Sequence, residues 1–237
     1  MDVFHLNSRQ TKYSFYRSIF APVESNMYIL LDGEEAIVFD TNISDEVLAI
    51  LKTNNVQKVH VFLTHEHYDH SHGVWWLREN FNTILYCHQE CKGNISTKKR
   101  SSPRLVAFII SVKDMDDGGN RYDAFKESVV DYAIEADEYF DDGHIFNIGT
   151  HTIRCVHTPG HTPGSCLFIM DDELVFSGDS MIEGNKIITS FRGGDRERMI
   201  NVALPKLKAL PDDLWVMPGH GEPFKKKDFN FDIYENV

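Results

Sequence analysis

The sequence predicts an α/β protein in which two similar halves pack as a sandwich. Strand-like and helix-like segments alternate along the chain, and the order of strands, helix and strand occurs twice. The chain has 237 residues, a length common for one large α/β domain, and its hydrophobic fraction of 42% is ordinary for a globular protein. A chain of this size buries roughly 70–75% of its unfolded surface and needs no disulfides. We therefore expect residues 1–237 to form a single domain.

The first half of the chain predicts a hairpin and then two strand–helix units. The apolar runs 27–31 and 36–40 flank Asp32-Gly33, which is a strong hairpin-turn signal. A helix capped by Ser44 and Asp45 then runs to about residue 53. The elements expected next are a strand at 59–63, a helix at 73–81 and a strand at 84–86.

Residues 92–143 are the least regular part of the chain. They contain an apolar segment at 105–112, which is too short to span a membrane, and a predicted helix at 125–133. We interpret 92–143 as a helical insertion between the two halves, either a cap over a site or a peripheral excursion. Beyond it we expect strands at 152–156, 166–170, 174–177 and 214–217, and a helix from about 196 to 210 that Pro205 kinks.

The charge balance limits the classes of partner. With 24 Lys and Arg against 36 Asp and Glu, the net charge is −12, which disfavours a nucleic-acid backbone and an anionic membrane. We see neither a signal peptide nor an apolar run of the ~18 residues that a membrane span needs. We therefore expect a cytoplasmic protein with its four cysteines reduced. The expected partner is a small-molecule substrate, with no nucleic acid and no membrane, and a homodimer stays open.

Metal-competent side chains gather in turns, most of them directly after strand-like runs. Glycine and proline beside them hold each loop in one conformation, as a rigid ligand requires. A catalytic Zn²⁺ takes about three protein ligands and keeps one open position, so six His and Asp groups with one bridging carboxylate suffice for two ions. The candidate metal ligands are His65, His67, Asp69, His70, His161, Asp179 and His220, with Asp40 behind them at the end of a strand.

This combination resembles the motif set of the metallo-β-lactamase-fold superfamily and, in its detail, that of the glyoxalase-II-like hydrolases. The His-x-His-x-Asp-His motif is matched at residues 65–70. The later single histidine, the bridging aspartate and the final histidine are matched at His161, Asp179 and His220. The resemblance covers the chain from about Met27 to Gly221. It implies a four-layer αββα sandwich with the metals at one edge of the two sheets.

The resemblance also implies a role for each ligand. One divalent ion would be held by His65, His67 and His161, the other by Asp69, His70 and His220, and Asp179 would bridge them. Zinc is the first choice and iron or manganese are alternatives, because His and carboxylate ligands accept all three. The implied nucleophile is a hydroxide between the ions. Asp69 is implied as the catalytic residue that orients it and passes a proton to the leaving group.

Departures from known branches narrow the expected substrate. Little chain follows His220, so we expect no C-terminal helical domain of the kind that grips glutathione thioesters, and a substrate other than such a thioester. The lack of a Cys ligand, the bridging Asp179 and the missing secretion signal argue against a β-lactamase. His67, where flavodiiron oxygen reductases have Glu, argues against that chemistry. We predict a metal-dependent hydrolase of a small thioester, ester, lactone or phosphoester, with unassigned substrate-binding residues.

Two other functions stay open at this point. A mononuclear iron dioxygenase acting on persulfides, a type of enzyme found in the superfamily, would use His65, His161 and Asp179 as its two histidines and one carboxylate. The third alternative is a non-catalytic metal-binding or sensing module.

Three arginines and one histidine carry weaker signals. Arg192, Arg196 and Arg198 either meet a carboxylate or phosphate of the substrate or begin a solvated helix. We interpret His72 as a supporting or exposed residue.

Overall fold

The computed structural model describes residues 1–7, 12–97, 103–129 and 133–236, which form a four-layer αββα sandwich. Two sheets pack face to face, and helices cover the outer face of each sheet. The predicted fold class is confirmed. Among the described residues, no helix is long and apolar enough to span a membrane.

The first sheet delivers two loops to the same edge. Strands β1 to β4 are antiparallel neighbours, whereas β4, β5, β6 and β7 run parallel to one another. Because β4 and β5 are parallel, the loops that follow them leave the sheet side by side. In spatial order the strands are β1 (Asp2–Asn7), β2 (Lys12–Phe20), β3 (Ser25–Asp32), β4 (Glu35–Phe39), β5 (Lys58–Phe62), β6 (Asn82–His88) and β7 (Glu138–Phe140).

The second sheet also delivers two neighbouring loops to one edge. Strands β11 and β12 are parallel, and the other neighbours are antiparallel. The loops after β11 and β12 therefore also emerge together. From one edge of the sheet to the other, the strands follow chain order: β8 (Ile145–Ile148), β9 (His151–His157), β10 (Cys166–Met170), β11 (Leu174–Gly178), β12 (Trp215–Pro218) and β13 (Phe224–Lys225).

The helices form the two outer layers. Helix α1 begins where the Ser44 hydroxyl accepts a hydrogen bond from the Val47 N–H at 3.4 Å, as predicted. The helices are α1 (Asp45–Thr53), α2 (Tyr68–Ser71), α3 (Val74–Asn80), α4 (Lys92–Ile95), α5 (Arg104–Asp117), α6 (Arg121–Ser128), α7 (Arg196–Arg198) and α8 (Leu204–Lys208). A π-helical segment, Met199–Ala203, joins α7 to α8 just before Pro205. Single-turn 3-10 helices are Gln89–Cys91 and Lys226–Asp228, and a longer one is Phe231–Asn236.

Alternate side chains of a strand point to opposite faces of the sheet and so belong to different hydrophobic layers. In β4, Ile37 and Phe39 point into the central layer between the sheets, whereas Ala36 and Val38 join the core beneath the helices. The Phe39 ring stacks on Phe176 of β11 with centroids 3.5 Å apart. Each sheet therefore has two apolar faces, which requires helices outside both.

The predicted insertion, 92–143, contains α4, α5 and α6, and also strand β7, which extends the first sheet beyond β6. Helix α5 packs Val106 and Ile110 onto the core beneath the helical layer. The helix expected at 125–133 lies earlier, at Arg121–Ser128, because the backbone at Val129 is extended (φ −76°, ψ 137°). Residues 130–132 of that prediction lie outside the described residues.

Candidate metal centre

The first sheet positions four candidate ligands through the loop after β5. His65 and His67 follow the strand directly, and Asp69 and His70 lie on α2. Asp40, after β4, fixes the start of this loop. Its two carboxylate oxygens accept hydrogen bonds from the Thr64 N–H at 2.8 Å and the Thr64 hydroxyl at 2.7 Å. Asp40 has a positive φ of 56°, so a sharp turn ends β4 at the edge where β5 also ends.

The second sheet brings three further candidates to the same place. His161 lies between β9 and β10, Asp179 follows β11, and His220 follows β12. Glycine is required beside the last of these. A Cβ atom on Gly219 would lie 2.4 Å from Asp179 Oδ1 and 2.9 Å from His70 Cε1. The close approach of the two sheets at this edge therefore depends on the missing side chain.

The seven candidates fall into two groups that share one carboxylate. Within each group the ligand atoms lie within 4.8 Å of one another. Asp179 lies between the groups, because its Oδ2 is 3.3 Å from His161 Nε2 while its Oδ1 is 3.5 Å from His70 Nε2 and 3.6 Å from His220 Nε2. The first cluster is His65, His67, His161 and Asp179, and the second cluster is Asp69, His70 and His220.

The outer ring nitrogens of four histidines bond to protein acceptors. His70 Nδ1 donates to Asp40 at 2.9 Å, His161 Nδ1 to the Ile188 carbonyl at 2.7 Å and His220 Nδ1 to the Val23 carbonyl at 3.0 Å. His65 Nδ1 lies 3.0 Å from the Thr64 hydroxyl, which donates to Asp40 and so accepts from the ring. Such bonds fix the ring orientation and leave Nε2 directed into the clusters.

Buried atoms without partners show that the site suits a metal. His65 Nε2, His70 Nε2 and Asp179 Oδ1 are buried and make no hydrogen bond within the described part of the chain. Leaving such atoms unpaired costs about 1–3 kcal/mol each, and more when the group is charged. They belong to the two clusters, where divalent cations would satisfy them. The His and carboxylate donor set is also one that zinc, iron and manganese accept.

The two clusters differ in electrostatics. Burial, reinforced by neighbouring histidines, lowers the pKa of His65 well below its usual value and that of His67 to about 3. These rings are therefore neutral at pH 7, which is the form that binds a metal. Burial alone would also lower the pKa of His70 and His220. The nearby carboxylates overcome it, and both pKa values are raised.

The two carboxylates near both clusters stay ionised. Burial would raise their pKa values, but His70 and His220 hold the pKa of Asp69 well below its ordinary value, and His220, His70 and His161 lower that of Asp179. The raised pKa values of His70 and His220 favour protons on these rings, which would partly balance this charge without a metal. A divalent ion would supply the same compensation.

Five of the seven candidate ligands line one cleft. This first cleft has a volume of about 540 Å³, and His67, Asp69, His161, Asp179 and His220 all line it. A ligand in it would therefore meet both clusters. The volume is within the roughly 300–1,000 Å³ range of small-molecule sites.

Other polar residues have separate roles. His72 is 3% exposed, donates to the Tyr68 carbonyl at 3.1 Å and lies outside both clusters. Arg198 pairs with Glu90 through two contacts of 2.7 and 2.9 Å. Sequence reasoning did not single out Glu66. Its buried carboxylate accepts hydrogen bonds from Thr162 and Asn94, both at 2.6 Å.

Known proteins share this arrangement of sequence and fold. The model of the metallo-beta-lactamase superfamily matches residues 21–220. The probable metallo-hydrolase YqgX of Bacillus subtilis is 27% identical over 203 residues, which cover 84% of this chain and 86% of that protein. Hydroxyacylglutathione hydrolase GloC of Haemophilus influenzae is 25% identical over 202 residues, again 84% and 86% of the two chains. The crystal structure of BLEG-1 B3 metallo-beta-lactamase has 28% identity and a TM-score of 0.69, covering 90% of this chain and 94% of that one.

The matched segment spans the loops after β4, β5, β9, β11 and β12, which carry every candidate ligand. The αββα sandwich and the His/Asp clusters at its edge agree with the match, and together they show that the chain belongs to the metallo-beta-lactamase superfamily.

Proposed function

We propose that this chain is a metal-dependent hydrolase that cleaves an ester-type bond, in a small thioester, ester, lactone or phosphoester, at a dinuclear centre. The observation that carries the proposal is the position of Asp179. Its two oxygens face different clusters, Oδ2 towards His161 and Oδ1 towards His70 and His220. A shared carboxylate of this kind suits two ions held side by side. Zinc is the preferred metal, and iron or manganese also fit the donors.

The chain's own residues would act around such ions. When bound, two divalent ions supply a hydroxide nucleophile at neutral pH and polarise the oxygen of the scissile group. Asp69 lines the cleft beside both clusters. Its low pKa keeps it ionised, so it can accept a hydrogen bond from the attacking water and orient it. It can then carry the proton to the leaving group.

The relatives support hydrolysis and reopen one substrate class. GloC is a hydroxyacylglutathione hydrolase, and the alignment covers 86% of its length. A protein of that activity therefore needs little beyond the part that it shares with this chain. Glutathione thioesters, which we did not expect as substrates, therefore belong among the substrates to be tested.

Elemental analysis and a substrate panel test the proposal. We expect two ions per chain and hydrolysis of at least one thioester, ester, lactone or phosphoester, lost on chelation and restored by zinc, iron or manganese. Asp69→Asn should lower kcat on the order of 100- to 1,000-fold. A fully loaded protein that cleaved no compound of the panel would contradict the proposal, and cleavage of a β-lactam alone would replace it.

The same measurements address persulfide dioxygenation. That reaction needs one iron, held by His65, His161 and Asp179, and consumes oxygen. The second cluster would then have no role, although its atoms are as closely grouped as those of the first. One iron per chain with oxygen uptake on a persulfide would favour the dioxygenase over the hydrolase.

We also propose a cytoplasmic location and a small-molecule substrate as the principal partner. The net charge of −12 supports the exclusion of nucleic acid and anionic membranes. A homodimer is compatible with the proposal, and sedimentation velocity would test it.

A further inference from the structure

Two clefts of different chemistry meet at the candidate metal centre. The second cleft, about 510 Å³, lies beside the first cleft of about 540 Å³. Both are lined by His67 and Asp69, so each one reaches the reacting atoms. Both also share Leu105 and Val106 from the first turn of α5, which forms a common wall. A substrate bound across the metal centre would therefore place one arm in each cleft.

The walls of the first cleft are apolar. From Leu105 to Lys113, α5 lines it over about 12 Å. Lys113 Nζ, about two turns along the helix from Leu105, pairs with Glu24 at 3.2 Å, so an ion pair lies at that end of the apolar wall. The opposite wall comes from the loop after β11. The apolar side chains of the two walls are Leu105, Val106, Ile109, Ile187, Ile188 and Phe191.

The charges beside the first cleft are mostly paired already. Arg17 is 4% exposed and contacts Asp2 at 2.7 Å and Glu222 at 2.9 Å. Lys186 lines the cleft but is exposed to solvent. The interior therefore offers apolar surface to a ligand, with few polar groups that need a partner.

The second cleft has a different lining. Arg104 and Arg192 both border it. Arg192 is exposed and has no ion pair within the described ranges, in contrast to Arg198, which Glu90 holds. The carboxylate of Glu66, which also lines this cleft, is occupied by Thr162 and Asn94. The second cleft is therefore suited to an anionic group.

We propose that the substrate is an acyl ester or thioester with an unbranched, medium-chain apolar acyl group and an anionic leaving group. The acyl chain lies along α5 in the first cleft, and the leaving group lies in the second cleft near Arg192. This inference rests on the proposed hydrolase function. In the reaction, the water oxygen bonds to the acyl carbon, the bond to the leaving sulfur or oxygen breaks, and Asp69 passes a water proton to that atom. The products are the carboxylic acid and the thiol or alcohol.

A matched set of synthetic thioesters tests both arms. Acetyl, hexanoyl and decanoyl thioesters of mercaptoacetate, which is anionic, are compared with those of mercaptoacetamide, which is neutral. With zinc-loaded protein and detection of the released thiol, kcat/KM should rise on the order of 100-fold from acetyl to hexanoyl, because four more methylenes leave water. The anionic leaving group should be preferred about threefold, as expected for an exposed ion pair.

Two pairs of variants assign these preferences to the clefts. Ile109→Gln should reduce the hexanoyl-over-acetyl ratio about tenfold. Met115→Gln is the control, because Met115 lies on the same helix and is 84% exposed. Arg192→Gln should remove the preference for mercaptoacetate. Arg154→Gln, which alters a partly buried arginine of β9 that borders neither cleft, should keep it.

Binding provides a readout that is independent of turnover. Decanoate binding to the zinc-loaded protein should show a negative heat-capacity change by calorimetry, weakened by Ile109→Gln and unaffected by Met115→Gln. Thioester hydrolysis with equal or faster turnover of acetyl compounds would overturn the inference and leave the hydrolase intact. A metal-loaded protein that cleaves no ester or thioester would instead overturn the proposed function. In that case, decanoate binding insensitive to Ile109→Gln would overturn the assignment of the first cleft as well.

Discussion

Glu66 links the two loops that carry the histidines of the first cluster. It lies between His65 and His67 in sequence, and its Oε2 accepts a hydrogen bond from the hydroxyl of Thr162, the residue after His161. Its Oε1 accepts one from Asn94. Burial raises the pKa of Glu66, and the bonds from Thr162 and Asn94 partly offset that effect. A buried carboxylate that joins two ligand loops is expected to position the ligands.

Glu66→Gln tests this role. Both carboxylate oxygens accept hydrogen bonds, so the amide nitrogen of Gln would either face the Asn94 amide donor or take away the acceptor of the Thr162 hydroxyl. We expect the first cluster to lose about 10- to 100-fold in zinc affinity, with less effect on the second cluster. A competition titration with a zinc chelator measures both affinities. Glu34→Gln, an exposed control, should change neither affinity, and an unchanged first cluster in Glu66→Gln would contradict the role.

Proton release should distinguish the two clusters during metal binding. The pKa values of His70 and His220 are raised, so both rings hold protons below those values and a metal must displace them. The affinity of the second cluster should therefore fall as the pH falls. His65 and His67 are already neutral, since their pKa values are lowered, and the first cluster should respond less. At limiting free zinc we expect the number of ions per chain to fall from about two towards one as the pH falls below the raised pKa values of His70 and His220. Loss of both ions together would contradict this expectation.

The site depends on how closely the loops after β11 and β12 approach helix α2. Gly219→Ala would place a methyl group 2.4 Å from Asp179 Oδ1. We expect this variant to fold but to lose metal from the second cluster, as measured by elemental analysis. Gly33→Ala is the matched control, because its φ of 61° makes alanine costly while the surrounding space is open. It should lower stability by about 1–2 kcal/mol and keep both ions. Equal metal content in the two variants would contradict the steric argument.

Elements with a turn or cap signal in the sequence were predictable, whereas segments that bury residues without a regular hydrophobic period were not. The hairpin of β3 and β4 and helix α1 follow from Asp32-Gly33 and the Ser44 cap. Strand β2 was not predicted as a strand, because it buries aromatic side chains on both faces and places a buried, ion-paired Arg17 among them. The segment after residue 222 has no sustained period, yet it buries Phe224, Phe229 and Tyr234 against the second sheet. Glu66 showed no signal, because a single carboxylate between histidines looks like any solvated residue.

Each cluster takes ligands from loops of both sheets. The first cluster joins His65 and His67 of the first sheet to His161 of the second, and the second cluster joins His70 to His220. Between the sheets lies a layer of aromatic side chains, but the edge with the clusters carries buried polar atoms without partners. A bound ion at this edge would therefore connect the two halves of the sandwich.

Metal removal should consequently destabilise the entire fold and not only the loops. A ligand that binds the native state alone contributes about 2.7 kcal/mol at 100 times its Kd. For a chain of this size, that free energy corresponds to a shift in Tm of roughly 5–10 °C. Scanning calorimetry with and without a chelator should show one transition that moves by about this amount. His220→Ala should reduce the shift, because it removes a ligand from the second sheet, whereas His5→Ala, an exposed histidine of β1, should retain it in full. A Tm independent of metal would contradict this prediction.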